Sequence, residues 1–301
     1  MGWRVVTVQS EAYLSLAQGQ LKISIADRCQ SLPIEDIDTL ILDNLHSALS
    51  TALLCELAQS GVSVLFTNQK HLPCSLLIPT AKHSRQLSSL RLFDSLSKPQ
   101  RKRLWQEIIK RKRLNQSHTA RIHGQEALAQ YLETAAKNVT PGDTKNIEAI
   151  AAAAYFKALW PSSRRVECWH NSMANLGYAI IRSSLARYLV AFGFTPSIGL
   201  HHCSDTNPFN LADDFLEPFR PLVDNAVLKR AAERSTSSSD LSSDDRHSLI
   251  QLLGREVGLT GDRQGERTQL LNVPEVLIRS FRQFLQTDRQ LPSSLPLPYE
   301  P

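Results

Sequence analysis

The spacing of apolar positions changes once along the chain. Up to about residue 80 it alternates or runs in short β-branched stretches, and after about residue 84 it recurs every three to four residues. Residues 3–8 (WRVVTV) read as a strand. Tyr13-Leu14-Ser15-Leu16 and Leu21-Lys22-Ile23-Ser24-Ile25 alternate with period two about Gln18-Gly19, which predicts a hairpin. Residues 39–42 and 62–66 read as buried strands. Leu53, Leu54 and Leu57 place a helix between them, and this passage ends near His71-Leu72-Pro73.

Beyond residue 84 the periodicity is helical. Leu104, Trp105, Ile108 and Ile109 form one stripe, and residues 127–136 form a second helix that Pro141-Gly142 breaks. Asp143 or Thr144 then caps a helix running to about Leu159, where Pro161 stops it. Further helices are predicted over 171–192, from about Asn210, and over 223–233. The Ser/Asp-rich run 234–245 predicts a mobile loop, and the Pro/Ser-rich tail from Leu291 is expected to add nothing to the core. The fold class is therefore α+β: a small N-terminal β-rich domain followed by a larger all-helical one. The expected boundaries are 1–80 for the β-rich domain, 81–100 for a linker, 101–290 for the helical domain and 291–301 for the tail.

Charge sharpens this outline. Lys+Arg 34 against Asp+Glu 29 is a mild excess over 301 residues, but it is unevenly spread. Residues 101–122 hold eight basic side chains and one acid, Glu107, whereas residues 203–219 hold four acids and no Lys or Arg. A basic surface beside an acidic pocket suits an enzyme that cuts or joins polyanions; the plainer reading of the basic run is a solvated helix face. The five cysteines are odd in number, widely spaced and without a C-x-x-C pair, which argues against a disulfide framework or a zinc finger. No apolar signal core and no run of about 18 apolar residues is present, so a soluble cytoplasmic protein without membrane partners is expected.

The chemistry concentrates in two segments. Glu148 opens a helix with Ala152, Tyr155 and Leu159 on its stripe; a carboxylate there is costly to bury unless it is paired or bound to metal. The second segment, 201–221, brings His201, His202, Asp205, Asp213, Asp214, Glu217 and Arg220 together. Glu217 follows Asp213 by four residues and Asp214 by three, so the three charges repel unless a cation or Arg220 neutralises them. Pro218 and Pro221 distort the helix at that point. Carboxylates with one imidazole suit Mg²⁺ or Mn²⁺; the rival reading is a solvated acidic helix with incidental histidines. His170, Asn171, Asn175 and Tyr178 read as a structural polar group. No phosphate-cradling glycine loop, nucleophile elbow or dinucleotide fingerprint is present.

At these residues the chain resembles the CRISPR adaptation integrase, the "Cas-one" family, in its type II variety. The resemblance runs over nearly the whole chain. It is carried by Trp3-Arg4-Val5-Val6, the segment from Ala52 to Thr67, Asn115-Gln116, Asn146-Ile147-Glu148 and Asn171 to Tyr178. Its most specific parts are Gly199-Leu200-His201-His202 and the block 209–221 (FNLADDFLEPFRP). The resemblance implies a metal-dependent DNA endonuclease and integrase that inserts short foreign DNA into a repeat array. It places the catalytic metal ligands for Mg²⁺ or Mn²⁺ on Glu148, His202 and Glu217, with Asp214, Asp213 and Arg220 around them. It also implies double-stranded DNA as substrate, a homodimer formed through the β-rich domain, and a small ferredoxin-like partner whose dimer two such dimers flank. Type II accessory and effector proteins are further expected partners. The basic helix, through Lys102, Arg103, Lys110, Arg111 and Arg113, is expected to hold the duplex backbone. Ala151–Ala154 departs from relatives that carry bulkier or basic residues there. Two alternatives stand beside this reading: a non-catalytic DNA-binding scaffold for a partner nuclease, and a small-molecule phosphohydrolase.

Overall fold

The computed structural model describes residues 2, 4–69, 71, 73–78, 86–142, 147–234, 238, 240–287 and 295–300, apart from the side chains of 147 and 148. The expected cap at Asp143 or Thr144 lies outside the described residues. A mixed sheet organises the N-terminal part, in the order β1 (Arg4–Val8), β5 (Ile37–Leu42), β7 (Ser63–Thr67), β8 (Pro73–Leu77). The first three strands are parallel and β8 is antiparallel to β7. The hairpin falls where the alternation places it, as β2 (Tyr13–Ala17) and β3 (Gln20–Ile25). Gln18 and Gly19 both have positive φ, 50° and 72°, the backbone that a two-residue hairpin turn demands. β4 (Arg28–Pro33) and β6 (Ala48–Leu49) flank the hairpin in a second sheet. β4 was invisible to the pattern because, as a largely exposed edge strand, it carries little apolar alternation.

Every residue of β5 is buried, because the first sheet is covered on both faces. Leu40, Leu42 and Val64 pack with the hairpin and α1 (Thr51–Ser60), while Ile41 and Leu65 join the helical core. Ser50 caps α1, its side chain accepting from Leu53 N at 3.3 Å.

Eight helices follow among the described residues before the chain returns to strand: α2 (Gln86–Asp94), α3 (Lys98–Ile122), α4 (Glu126–Lys137), α5 (Ile147–Leu159), α6 (Trp169–Ala191), α7 (Asn210–Leu216), α8 (Arg220–Glu233) and α9 (Ser243–Leu253). α6 is buried nearly all round, and it packs against β7, β8, α7 and α8. It carries Arg187 (5 % exposed), whose guanidinium pairs with Asp38 (1 % exposed) and donates to Gly61 O at 3.0 Å. The central helix is thus tied electrostatically to the sheet. A second buried acid, Asp43 at the end of β5, accepts from Thr67 Oγ1 (2.7 Å) and contacts Arg246 Nε (2.7 Å) and His71 Nδ1 (2.8 Å).

Four sequence expectations are corrected. The helical part is not all-helical: β9 (Glu256–Leu259), β10 (Arg267–Gln269) and β11 (Pro298–Tyr299) form a three-stranded sheet, with α10 (Val273–Gln286) between β10 and β11. Strands of two to four residues are too short to show a period. The chain's last described segment does enter the core, since Leu295 and Leu297 are buried and Thr260 hydrogen-bonds to both their carbonyls. Residues 86–96, expected as linker, are mostly helix, and Phe93 and Leu96 pack in the core. The Ser/Asp run 234–245 ends in structure: Ser242 and Asp245 form a capping box that opens α9 (Ser243–Leu253), and Leu241 is buried.

Candidate functional site

The two acids of the short helix α7 and Glu217 at its C-terminal cap find different partners, which resolves their mutual repulsion. Asp213 accepts from Asn207 Nδ2 at 2.8 Å and faces Arg182 at 3.9 Å. Asp214, fully buried, is wrapped by the loop from Gly199 to His202. Its Oδ2 accepts from Leu200 N (2.6 Å) and His201 N (3.1 Å), and its Oδ1 from His202 N (3.1 Å) and His202 Nδ1 (2.7 Å). The loop closes this tightly because residue 199 is glycine: a Cβ there would lie 2.2 Å from His202 O and 2.9 Å from Asp214 Oδ2. A carboxylate can only accept, so Nδ1 carries the proton and Nε2 is the nitrogen left for a ligand. The Asp214 hydrogen bond raises the His202 pKa above the ordinary value, against a smaller opposing effect of burial.

Trp105 of α3 supports this loop from below. His201 stacks on its indole at 4.2 Å between centroids, and His202 meets it edge-on at 5.5 Å. Arg101, one turn earlier, donates to Gly199 O at 3.2 Å.

Glu217 leaves α7 at the proline-broken turn and is 5 % exposed. Burial would raise its pKa, but Lys112 and Arg220 outweigh burial and hold it down to about 2. Lys112 Nζ lies 2.6 Å from Oε2 and Arg220 Nε 2.9 Å from Oε1. The turn itself is read by α3. Asn115 Nδ2 donates to Pro218 O (2.7 Å) and Pro298 O (2.9 Å), and Thr119 Oγ1 to Pro221 O (3.1 Å). Lys112, Asn115 and Thr119 recur at helical spacing, so one stripe of α3 fixes the turn that carries Glu217. His202 and Glu217 each contribute to the other's electrostatic shift, which places them in one charged centre.

Glu148 lies in the first turn of α5, but its side chain is outside the described residues. Among the described residues no three His, Cys, Asp or Glu side chains gather as a metal cluster. The donors that are described do fit a divalent cation: an imidazole with its second nitrogen locked by a carboxylate, and a buried ionised carboxylate.

The basic run does not behave as one surface. Lys102 and Arg103 are exposed, Lys110 and Arg111 are half-buried, and Lys110 pairs with Glu107 at 3.2 Å. Arg111 lies over the Tyr299 ring at 5.3 Å, and burial lowers its pKa to about 10. Arg113 is corrected outright: at 1 % exposure it cannot lie along a duplex. Arg101, Lys112 and Arg113 turn inward, so neither a solvated face nor a continuous DNA-facing row describes this helix.

Behind Glu217 lies the polar group expected around Asn171, Asn175 and Tyr178, but sequence reasoning missed two of its members, Asp224 and Arg164. The Tyr178 hydroxyl donates to Asp224, and the Arg220 guanidinium stacks over the Tyr178 ring at 4.7 Å. Asn171 and Asn175 are held at 2.6 and 2.9 Å by Arg164, which no spacing or motif singles out. Beside this group opens a polar cavity of about 300 Å³ lined by Asn175, Tyr178, Arg182, Asp213 and Arg220 among others. Burial pushes Asp224 up to about 6, against the lowering pull of Tyr178 and the nearby arginines. Its folded pKa exceeds its unfolded value, so its stabilising neutral form is complete below about pH 4 and is lost as pH rises through 6. Asp224→Asn is expected to remove this slope, gaining about 2 kcal/mol on wild type between pH 4 and 7.5. Urea unfolding at the two pH values measures it; parallel pH dependences in both proteins would refute it.

The sequence profile of the family described as CRISPR associated protein Cas1 matches residues 5–259. A protein named CRISPR-associated endonuclease Cas1, from Neisseria meningitidis serogroup C (strain 8013), is 37% identical over 304 residues, covering 99% of this chain and 98% of that one. A casposase bound to its integration product has the same fold, with a TM-score of 0.71, 17% identity, and coverage of 97% of this chain and 92% of that chain. So does a chain of a Cas6-RT-Cas1–Cas2 complex, with a TM-score of 0.73 at 15% identity, covering 94% of this chain and 35% of that one. The chain belongs to the Cas1 family. Among the described residues no helix is long and apolar enough to cross a membrane.

Proposed function

We propose that this chain is a metal-dependent DNA integrase and endonuclease of CRISPR adaptation, of the type II variety, which inserts short captured duplexes into a repeat array. The observation that carries the reading is the geometry of one short block: Asp214 tethers His202 through Nδ1, and Glu217, three residues on, is buried between Lys112 and Arg220. The endonuclease name of the Neisseria relative and the integration product held by the casposase support it. Glu148, His202 and Glu217 would hold Mg²⁺ or Mn²⁺. When bound, the cation would polarise the scissile phosphate and offset the charge that gathers on its oxygens.

The chain's own residues prepare that site. Asp214 keeps His202 in one tautomer, and Lys112 and Arg220 keep Glu217 ionised at neutral pH. The attacking group is a DNA 3′-hydroxyl in integration and water in cleavage. A new P–O bond forms as the bond to the leaving 3′-oxygen breaks, and no protein nucleophile is required. Lys102 and Arg103, exposed at the start of α3, and the half-exposed Lys110 and Arg111 would contact the duplex backbone. The working assembly on this reading is cytoplasmic: a homodimer joined through the β-rich part, two such dimers flanking a dimer of a small ferredoxin-like partner. The Cas1–Cas2 complex among the fold neighbours supports a partner of that kind.

Strand transfer of a short duplex into a repeat-bearing target tests this. Product is expected in Mn²⁺ and none after exhaustive chelation, with DNA binding retained. Turnover under chelation would end the metal-dependent reading, and binding without turnover in any divalent metal would favour the scaffold.

A further inference from the structure

The ammonium of Lys112 sits where a metal ligand would need its cation. Lys112 Nζ is 2.6 Å from Glu217 Oε2, and both side chains are largely withdrawn from solvent, at 12 and 7 % exposure. Glu217 is held on its other oxygen by Arg220, and the two cations differ in freedom. Arg220 is fixed between Oε1, at 2.9 Å, and the face of Tyr178, at 4.7 Å, and Tyr178 is itself bonded to Asp224. Lys112 instead presents a compact charge on a flexible four-carbon stem, without the planar fork that stacks Arg220 in place. The turn that carries Glu217 is held separately, by Asn115 and Thr119. The site therefore has one permanent cation and one replaceable one.

We propose that Lys112 is a resident counter-cation. It occupies Glu217 Oε2 in the metal-free protein and yields that oxygen when a divalent cation binds, so that Lys112 and the metal compete for one carboxylate. The proposal rests on Glu217 being a metal ligand. It assigns Lys112 a function on the same helix as the exposed cations but apart from DNA contact. The arrangement keeps a buried carboxylate compensated before loading and sets the threshold of metal concentration at which loading occurs.

Competition predicts two effects of opposite sign. With Lys112→Met, the metal-free protein unfolds more easily because Glu217 has lost a partner, yet Mn²⁺ binds tighter, by about tenfold or more. Mn²⁺ titration followed by electron paramagnetic resonance reads free metal directly, without DNA or turnover. Wild type, Lys112→Met, Lys112→Gln and Glu217→Gln are compared, the glutamine at 112 keeping a neutral donor should the methionine variant fail to fold. Tighter Mn²⁺ binding in either Lys112 variant supports the proposal. Unchanged or weaker binding in every folded Lys112 variant, beside wild-type binding that Glu217→Gln abolishes, overturns it alone. Wild-type binding that survives Glu217→Gln overturns the metal reading of Glu217, and this proposal with it.

Discussion

Glu217→Gln is expected to reduce strand transfer by roughly a thousandfold or more, beyond the 10–100-fold typical of losing a group that only orients a ligand. The substitution is isosteric and keeps a carbonyl oxygen for Arg220, so the turn at 217–219 has no reason to collapse. What it removes is the negative charge. The remaining side chain is a poor ligand for a hard cation, and two buried cations then face each other across a neutral amide. Part of any loss could come from destabilisation, since Lys112 is left buried beside an uncharged partner. The double variant Glu217→Gln with Lys112→Gln separates the two causes. Its thermal stability is expected to return toward wild type while strand transfer stays absent. Wild-type rates in Glu217→Gln would remove Glu217 from the chemistry altogether.

Much of the architecture followed from period and punctuation. The hairpin at Gln18-Gly19, the buried strand around Leu40, the break at Pro141-Gly142 and the end of α5 before Pro161 were each legible because a local cause sets them. The elements that escaped are those with no local cause. β4 is held by main-chain pairing to β3, and β11 by pairing with β9 and by the Asn115 side chain of α3, 183 residues before Pro298.

The site divides along the same line. His202, Asp214 and Glu217 stood out because proline, glycine and acid cluster in one short block. What each of them does is decided by α3, 90 to 105 residues upstream, through Arg101, Trp105, Lys112 and Asn115. In sequence these look like members of a basic helix. The one usable signal was the spacing of Lys112, Asn115 and Thr119, which a charge count cannot register. Arg113 failed for the related reason that a run of cations says nothing about which way each one faces.

The contact between the central helix and the sheet carries the second large effect. Asp38 on β5 is buried with two partners, Arg187 and the Thr39 hydroxyl at 2.8 Å from Oδ2. Burial raises the Asp38 pKa, and the Arg187 guanidinium opposes that rise. Arg187→Met keeps much of the side-chain volume, including the packing on Tyr188, and deletes the charge. The carboxylate is then buried without its cation, and the expected loss is about 3–5 kcal/mol. With the arginine gone, the folded pKa of Asp38 climbs further above its unfolded value. The penalty is therefore largest at high pH and shrinks as pH falls and the carboxyl takes up a proton. Urea unfolding should show the variant closer to wild type at pH 5 than at pH 8. Adding Asp38→Asn should return most of the stability at pH 8, because removing both charges is far less costly than stranding one. A single variant as stable as wild type at pH 8 would mean that apolar packing of α6 alone holds the helix to the sheet, and that the ion pair only fixes its register.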